Sequence, residues 1–85
     1  MSAAAAETTT ARARGVSFDD RMMHVSLSAG RCLSVPLAWF PRLHAASPEQ
    51  RARWELIGRG IGIHWPELDE DLSVSGLLAG NRPRF

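Results

Sequence analysis

The chain has little that could cross-link it or hold a metal ion. It contains one cysteine, Cys32, in 85 residues. One thiol cannot form an internal disulfide, and no CxxC motif or Cys/His pairing indicates a zinc site. Stability must therefore come from apolar packing or from a partner, and we expect a reducing, cytoplasmic environment.

Lysine and long apolar runs are also missing. All ten basic residues are arginines, so a Walker-type phosphate loop, which needs a lysine, is excluded. Nine acidic residues bring the net charge to only +1, which favours neither nucleic-acid binding nor an acidic, DNA-mimicking surface. No stretch approaches the roughly 20 apolar residues of a membrane span, and no membrane association is predicted.

The chain begins with a low-complexity segment, MSAAAAETTTARAR, over residues 1–14. It offers no bulky apolar side chain to offset the entropy of ordering, which predicts a flexible tail. Arg12 and Arg14 follow the alanines rather than precede them, so a secretory signal is not predicted. We expect a single small domain over residues 15–80 and a C-terminal tail over 81–85.

The first half of the domain shows the period-two alternation of strands. Val16 and Phe18 predict a short strand, residues 22–27 a second and residues 33–35 a third, with Pro36 ending it. These predict a three-stranded antiparallel meander. His24 falls on its polar face, as a solvated or edge-packed side chain. Residues 37–46 predict one or two helical turns that cover the sheet, with Trp39, Phe40 and Leu43 in the core or at a contact surface.

The second half predicts one main helix over residues 47–57. Ser47 is its N-cap, Pro48 occupies the first turn, and the buried stripe contains Ala52, Leu56 and Ile57, flanked by Trp54. A further short strand, GIGIHW, follows and ends at Pro66, with Ile61, Ile63 and Trp65 on its apolar face. A short C-terminal helix with Leu77 and Leu78 inward completes an α+β fold.

The acidic run in HWPELDED raises the question of a site. We predict that Asp69 or Asp71 caps the last helix, because carboxylates satisfy free N–H groups at helix N-termini. The alternative is a divalent-cation site, or a general acid/base pair, made by His64 with Glu67, Asp69 or Asp71. No complete catalytic set is present, so we predict no enzyme activity, no catalytic residues, no cofactor and no metal.

Residues 35–80 contain VPL, PRL, the HWPELDED block and a final LLAG in fixed order. This pattern resembles the small prokaryotic family catalogued as domain of unknown function twenty-four forty-two, and the resemblance spans residues 16–80. Two departures, Ala29 and Gly76, are local. The resemblance implies a compact α+β domain without assigned activity or cofactor. In some relatives a helix-turn-helix module follows, and others are encoded beside a second small protein, as toxin and antitoxin pairs are.

We therefore expect a non-enzymatic interaction module of a bacterium or phage, antitoxin-like or inhibitor-like, that binds a protein partner. The alternatives are a nucleic-acid-associated regulator, which would bind phosphates through the arginines of the tail and helix or reach nucleic acid through a protein complex, and a phage-encoded inhibitor of host nucleic-acid defence. The oligomeric state is left open. The residues predicted to contact a partner are Trp39, Phe40, Arg42, Arg51, Arg53, His64, Glu67, Asp69 and Glu70.

Overall fold

The computed structural model describes residues 11–80, so residues 1–10 of the tail predicted over 1–14, and the tail predicted over 81–85, lie outside the described residues. The described part is a mixed α+β fold with two three-stranded antiparallel sheets. The first sheet contains β1 (Ala13–Phe18), β2 (Met22–Leu27) and β3 (Cys32–Pro36), and the second contains β4 (Glu55–Ile57), β5 (Gly62–Trp65) and β6 (Glu70–Ser73). Short helices are α1 (Pro41–Ala45), α2 (Pro48–Arg51) and α3 (Val74–Leu78), with 3-10 turns at Ser28–Gly30, Leu37–Trp39 and Gly58–Gly60.

The first sheet is the predicted meander. Its strands pair in the order β1-β2-β3, and the alternation places Met23, Val25 and Leu27 of β2 on the buried face. The strand β1 starts at Ala13, whose side chain is buried, although the sequence placed residues 13 and 14 in a flexible tail. The correction has a physical cause: another part of the chain comes very close to the backbone of Ala13 and holds it in place.

That other part is the turn Gly58–Gly60. A Cβ added to Gly60, whose φ is +95°, would lie 2.4 Å from the Ala13 carbonyl oxygen, so only glycine allows this approach. The Arg12 guanidinium donates hydrogen bonds of 3.2 and 3.3 Å to the carbonyls of Gly58 and Arg59. The beginning of the first sheet and the β4–β5 turn of the second are thereby fixed to each other.

The prediction of one main helix over residues 47–57 is correct for the first half of this segment and wrong for the second. The Ser47 hydroxyl and the Gln50 side chain form the capping box that the sequence indicates, but the helix ends at Arg51 and residues 55–57 form β4. Leu56 and Ile57 pair with Ile63 and Gly62 of β5. Strand pairing supplies these residues with backbone partners, and it overrides their helix propensity. The expected buried stripe does not exist: Ala52, Leu56 and Ile57 are exposed.

The further strand is present as β5, and it ends before Pro66 as predicted. Ile61 lies outside it and is 54% exposed, so only Ile63 and Trp65 of the three predicted apolar residues are buried. The acidic run does not cap a helix. Residues 70–73 form β6, and the Ser73 hydroxyl accepts from the Gly76 N–H at 3.0 Å to cap α3.

Within α3, Leu77 is buried, but Leu78 is 40% exposed rather than directed inward. None of the helices in the described part of the chain is long and apolar enough to cross a membrane.

Trp65 is the largest fully buried side chain of the core between the two sheets. Its indole N–H donates to the Arg51 carbonyl at 3.0 Å, and its ring meets the edge of Phe18 at a centroid distance of 6.4 Å. Trp65 therefore packs against Phe18 of the first sheet, as predicted, but the full helix predicted over residues 47–57 is not there to cover it, and Trp65 reaches only the last residue of α2. Phe40 and Leu43 are also buried and cover the first sheet, as the sequence predicted for core residues.

Replacing Trp65 by alanine removes this ring and leaves the Arg51 carbonyl without its donor. We expect a loss of roughly 3 to 5 kcal/mol in the free energy of unfolding, measured by urea denaturation. Trp54→Ala is the control, because Trp54 is only half-buried, and a smaller loss is expected. If Trp65→Ala does not fold, Trp65→Phe retains most of the packing and isolates the hydrogen bond. A loss below about 1 kcal/mol for Trp65→Ala contradicts the role given to this side chain.

Candidate functional site

Part of the set of residues expected to bind a partner lies on β5 and β6 or contacts the loops that flank them. His64 and Asp71 are opposite each other in the antiparallel pair, and His64 Nδ1 is hydrogen-bonded to Asp71 Oδ1. Because Trp65 is buried, the period-two alternation places His64 on the opposite face, as predicted. Glu55 of β4 is opposite His64 on its other side.

The turn between β5 and β6 is held by α1. The Arg42 guanidinium donates to the Asp69 carbonyl and lies 3.8 Å from the Glu70 carboxylate. Asp69 has a φ of +52°, a left-handed conformation that aspartate tolerates better than most residues. Arg42, Asp69 and Glu70 are therefore brought together, in a contact that fixes the turn.

The carboxyl group of Glu70 is partly buried. Its burial raises the pKa of the carboxyl above the ordinary value, and the neighbouring Asp71 and Asp69 add to this, while Arg42 opposes it. The ionised carboxylate is consequently less favourable in the folded protein than in the unfolded chain.

Two more of the predicted contact residues pair at the end of β5. Arg53 Nη1 is 2.6 Å from Glu67 Oε2, which raises the pKa of the Arg53 guanidinium. Arg51 donates to the carbonyls of Leu43 and His44 at 2.7 and 2.9 Å, so it links α2 to α1.

The two aromatic residues of the predicted contact set, Trp39 and Phe40, differ in how deeply they are buried. Phe40 is 1% exposed, so its assignment to a contact surface is corrected to the core, because its ring covers the first sheet. Trp39 packs against the same core and is half-buried.

The acid/base and cation hypotheses find no common centre. His64 bonds to Asp71, Glu67 bonds to Arg53, and Asp69 contacts Arg42 through its carbonyl. Within residues 11–80, no group of three His, Cys, Asp or Glu side chains is arranged to hold a metal ion.

His24, expected as a solvated or edge-packed histidine, is tied into the first sheet. Its ring nitrogens lie 2.7 Å from Ser34 Oγ and 2.8 Å from Asp19 Oδ2. The hydrogen bond from His24, with those from two backbone N–H groups, lowers the pKa of Asp19 to about 2.

Sequence reasoning missed the exposed apolar surface of the β4–β5 hairpin. Leu56, Ile57 and Ile61 are 37%, 44% and 54% exposed. Their apolar character was visible in the sequence, but it was attributed to helix and strand faces directed at the core. One sequence feature could have shown their exposure. Glycines at positions 58, 60 and 62 favour a hairpin turn over the end of a helix.

The fold defines the class of this protein: a small mixed α+β domain with two antiparallel sheets. Comparisons with known proteins identify its family. The chain belongs to the family described as protein of unknown function (DUF2442), whose model matches residues 13–83. No curated protein matches it.

Two solved structures are similar over most of the chain. A protein of unknown function from Rhodospirillum rubrum is 34% identical with a TM-score of 0.76, covering 88% of this chain and 93% of that one. An uncharacterized protein from Chromobacterium violaceum is 25% identical with a TM-score of 0.76, covering 95% of this chain and 76% of that one.

The raised pKa of Glu70 gives a testable dependence of stability on pH. A carboxyl whose folded pKa is raised stabilises most below its unfolded value, near 4.5, and this contribution is lost as the pH rises through the folded pKa. Glu70→Gln cannot ionise. We therefore expect its urea midpoint, relative to the wild type, to be higher at pH 7 than at pH 3. A relative stability that instead falls between pH 3 and pH 7 contradicts the assignment.

The pair His64–Asp71 lies on a largely exposed face, where ion pairs contribute little. We expect His64→Ala to lower the free energy of unfolding by less than about 1 kcal/mol. Thermal unfolding followed by circular dichroism, with Ser75→Ala as an exposed control, measures this. A much larger loss shows that the pair is a structural centre.

Proposed function

We propose that the protein is a non-enzymatic, cytoplasmic interaction module of a bacterium or phage that binds a protein partner, in an antitoxin-like or inhibitor-like role. The observation that carries the proposal is the exposed apolar surface of Leu56, Ile57 and Ile61, called here the hairpin patch. Leu56 and Ile57 point to opposite faces of β4, and exposed apolar side chains grouped on one hairpin of a small domain are typical of protein contact sites.

The hairpin patch has a defined shape. A Cβ added to Gly62 would lie 2.9 Å from Ile57 Cγ1, and one added to Gly58 would lie 2.5 Å from Ile61 Cγ1. The two isoleucines therefore lie directly over bare glycine backbone, in space that a side chain at either position would occupy.

The surroundings of the hairpin patch fit a protein partner. Glu55 and Arg59 are exposed on either side of Ile57 along the chain. An apolar centre with charged residues at its margin is the usual arrangement of a protein–protein interface. β4 is also an edge strand of its sheet, so its outer backbone groups are available to a partner.

The nucleic-acid alternative has less support. Of the arginines proposed to contact phosphates, Arg12 and Arg51 donate to backbone carbonyls and Arg53 is paired with Glu67. Breaking these contacts would offset part of what phosphate binding contributes. The inhibitor of host nucleic-acid defence is a special case of protein binding and shares its test.

The test uses a photo-crosslinking amino acid at position 57 in the cells that encode the protein. We expect one protein to be captured from position 57 and not from position 78, where Leu78 is exposed elsewhere on the surface. The captured protein, once purified, should bind Ile57→Asp at least about tenfold more weakly than the wild type, and Leu78→Asp unchanged. Equal loss in both variants, or salt-sensitive capture of nucleic acid instead, contradicts the proposal.

A further inference from the structure

We propose that the free edge of β1 is a homodimer interface, on which β1 of a second copy pairs antiparallel about a two-fold axis at Ser17. This surface belongs to the first sheet and is distinct from the hairpin patch. The two three-stranded sheets of the copies would join into one sheet of six strands.

Within residues 11–80, the backbone of β1 has hydrogen-bonding groups on this edge that no other described backbone group uses. In the hairpin with β2, the Asp19 N–H donates to the Met22 carbonyl at 3.0 Å, and Ser17 is opposite His24. Since antiparallel pairs alternate, Val16 and Phe18 occupy the positions whose N–H and C=O groups point away from β2. Among the described residues, neither donates to nor accepts from a backbone group outside the β1–β2 pair.

The side chains at this edge are apolar and incompletely covered. Val16 and Phe18 are half-buried, although their partners Val25 and Met23 in β2 are fully buried. Beside them is an open cleft of about 390 Å³, whose opposite wall includes Ala52 and Trp54. The inner face of the first sheet is thus open to solvent along β1, and a further strand would cover it.

The charged residues at the two ends of β1 indicate which strand can pair with its free edge. Arg14 and Asp20 lie three residues before and three residues after Ser17 and are exposed. Within residues 11–80, neither forms an ion pair or a side-chain hydrogen bond. A two-fold axis at Ser17 places Val16 opposite Phe18 of the second copy. It also brings Arg14, in the bulge between Ala13 and Gly15, to the end of the paired segment where Asp20 of the second copy follows β1 in its turn.

This arrangement satisfies several requirements at once. Antiparallel pairing about Ser17 aligns the outward backbone groups of Val16 and Phe18 with the same groups of the other copy. It forms two apolar cross-strand pairs, which stabilise a sheet, and it brings opposite charges together at both ends of the paired segment. The interface is self-complementary, as the symmetry of a two-fold dimer requires.

The test is analytical ultracentrifugation of the full chain and of charge-reversed variants over a range of concentrations. We expect a monomer–dimer equilibrium for the wild type. Arg14→Asp and Asp20→Arg should each weaken dimerisation by at least about tenfold, because each brings like charges together. The matched controls Arg31→Asp and Glu55→Arg, which make the same charge changes on exposed positions elsewhere, should dimerise as the wild type does.

The decisive experiment mixes the two variants whose dimerisation is weakened. Arg14→Asp and Asp20→Arg have complementary charges only when one pairs with the other, so the mixture should form a heterodimer about as tightly as the wild type. Hydrogen exchange should show slow exchange of the Val16 and Phe18 amides only at concentrations where the dimer forms. Circular dichroism confirms that each variant is folded.

Three results overturn the proposal: a wild type that remains monomeric at about 1 mM, single variants that dimerise normally, or a mixture without heterodimer. Slow exchange of the Val16 and Phe18 amides in a monomer also overturns it, since another part of the chain or a different partner must then cover the edge. Ile57→Asp should leave dimerisation unchanged. A failure of the dimer proposal can therefore be distinguished from a failure of the partner-binding proposal.

Discussion

The burial of Trp65 is the constraint on which the rest of the structure depends. Its ring lies between the two sheets, its indole N–H is satisfied by the Arg51 carbonyl, and Phe18 of the first sheet packs on its edge. An indole this deep needs a hydrogen-bond acceptor, and the end of α2 supplies it. The short helix is therefore held by a contact from β5 and contributes little apolar surface of its own. Its position in turn determines one wall of the cleft beside β1.

Those parts of the fold that follow from local alternation were predictable. Met23, Val25 and Leu27 identified β2 and its buried face, and the alternation of His64 with Trp65 predicted which of the two enters the core. A period of two is specific because a shift by one residue would reverse every side chain. The capping box of Ser47 was also predictable, because it requires only residues close together in sequence.

The remainder depended on pairing between segments, which local patterns do not contain. Leu56 and Ile57 fit a helical stripe, and nothing within residues 47–57 shows that Ile63 and Gly62 will pair with them. The same holds for the candidate site. Arg42 and Glu70 are 28 positions apart in sequence, and their contact shows that these two residues, predicted to bind a partner, also hold the β5–β6 turn. Charged residues near an aromatic core can be selected for either purpose, and composition does not distinguish them.

The strand order of the two sheets has a consequence for how the chain folds. Each sheet pairs only strands that are neighbours in sequence, so each needs only short loops to close and can form early and independently. The contact of Arg12 and Ala13 with Gly58–Gly60 joins segments more than 40 residues apart, so it closes a long loop. We therefore expect the docking of the two preformed sheets, rather than strand formation, to limit the folding rate.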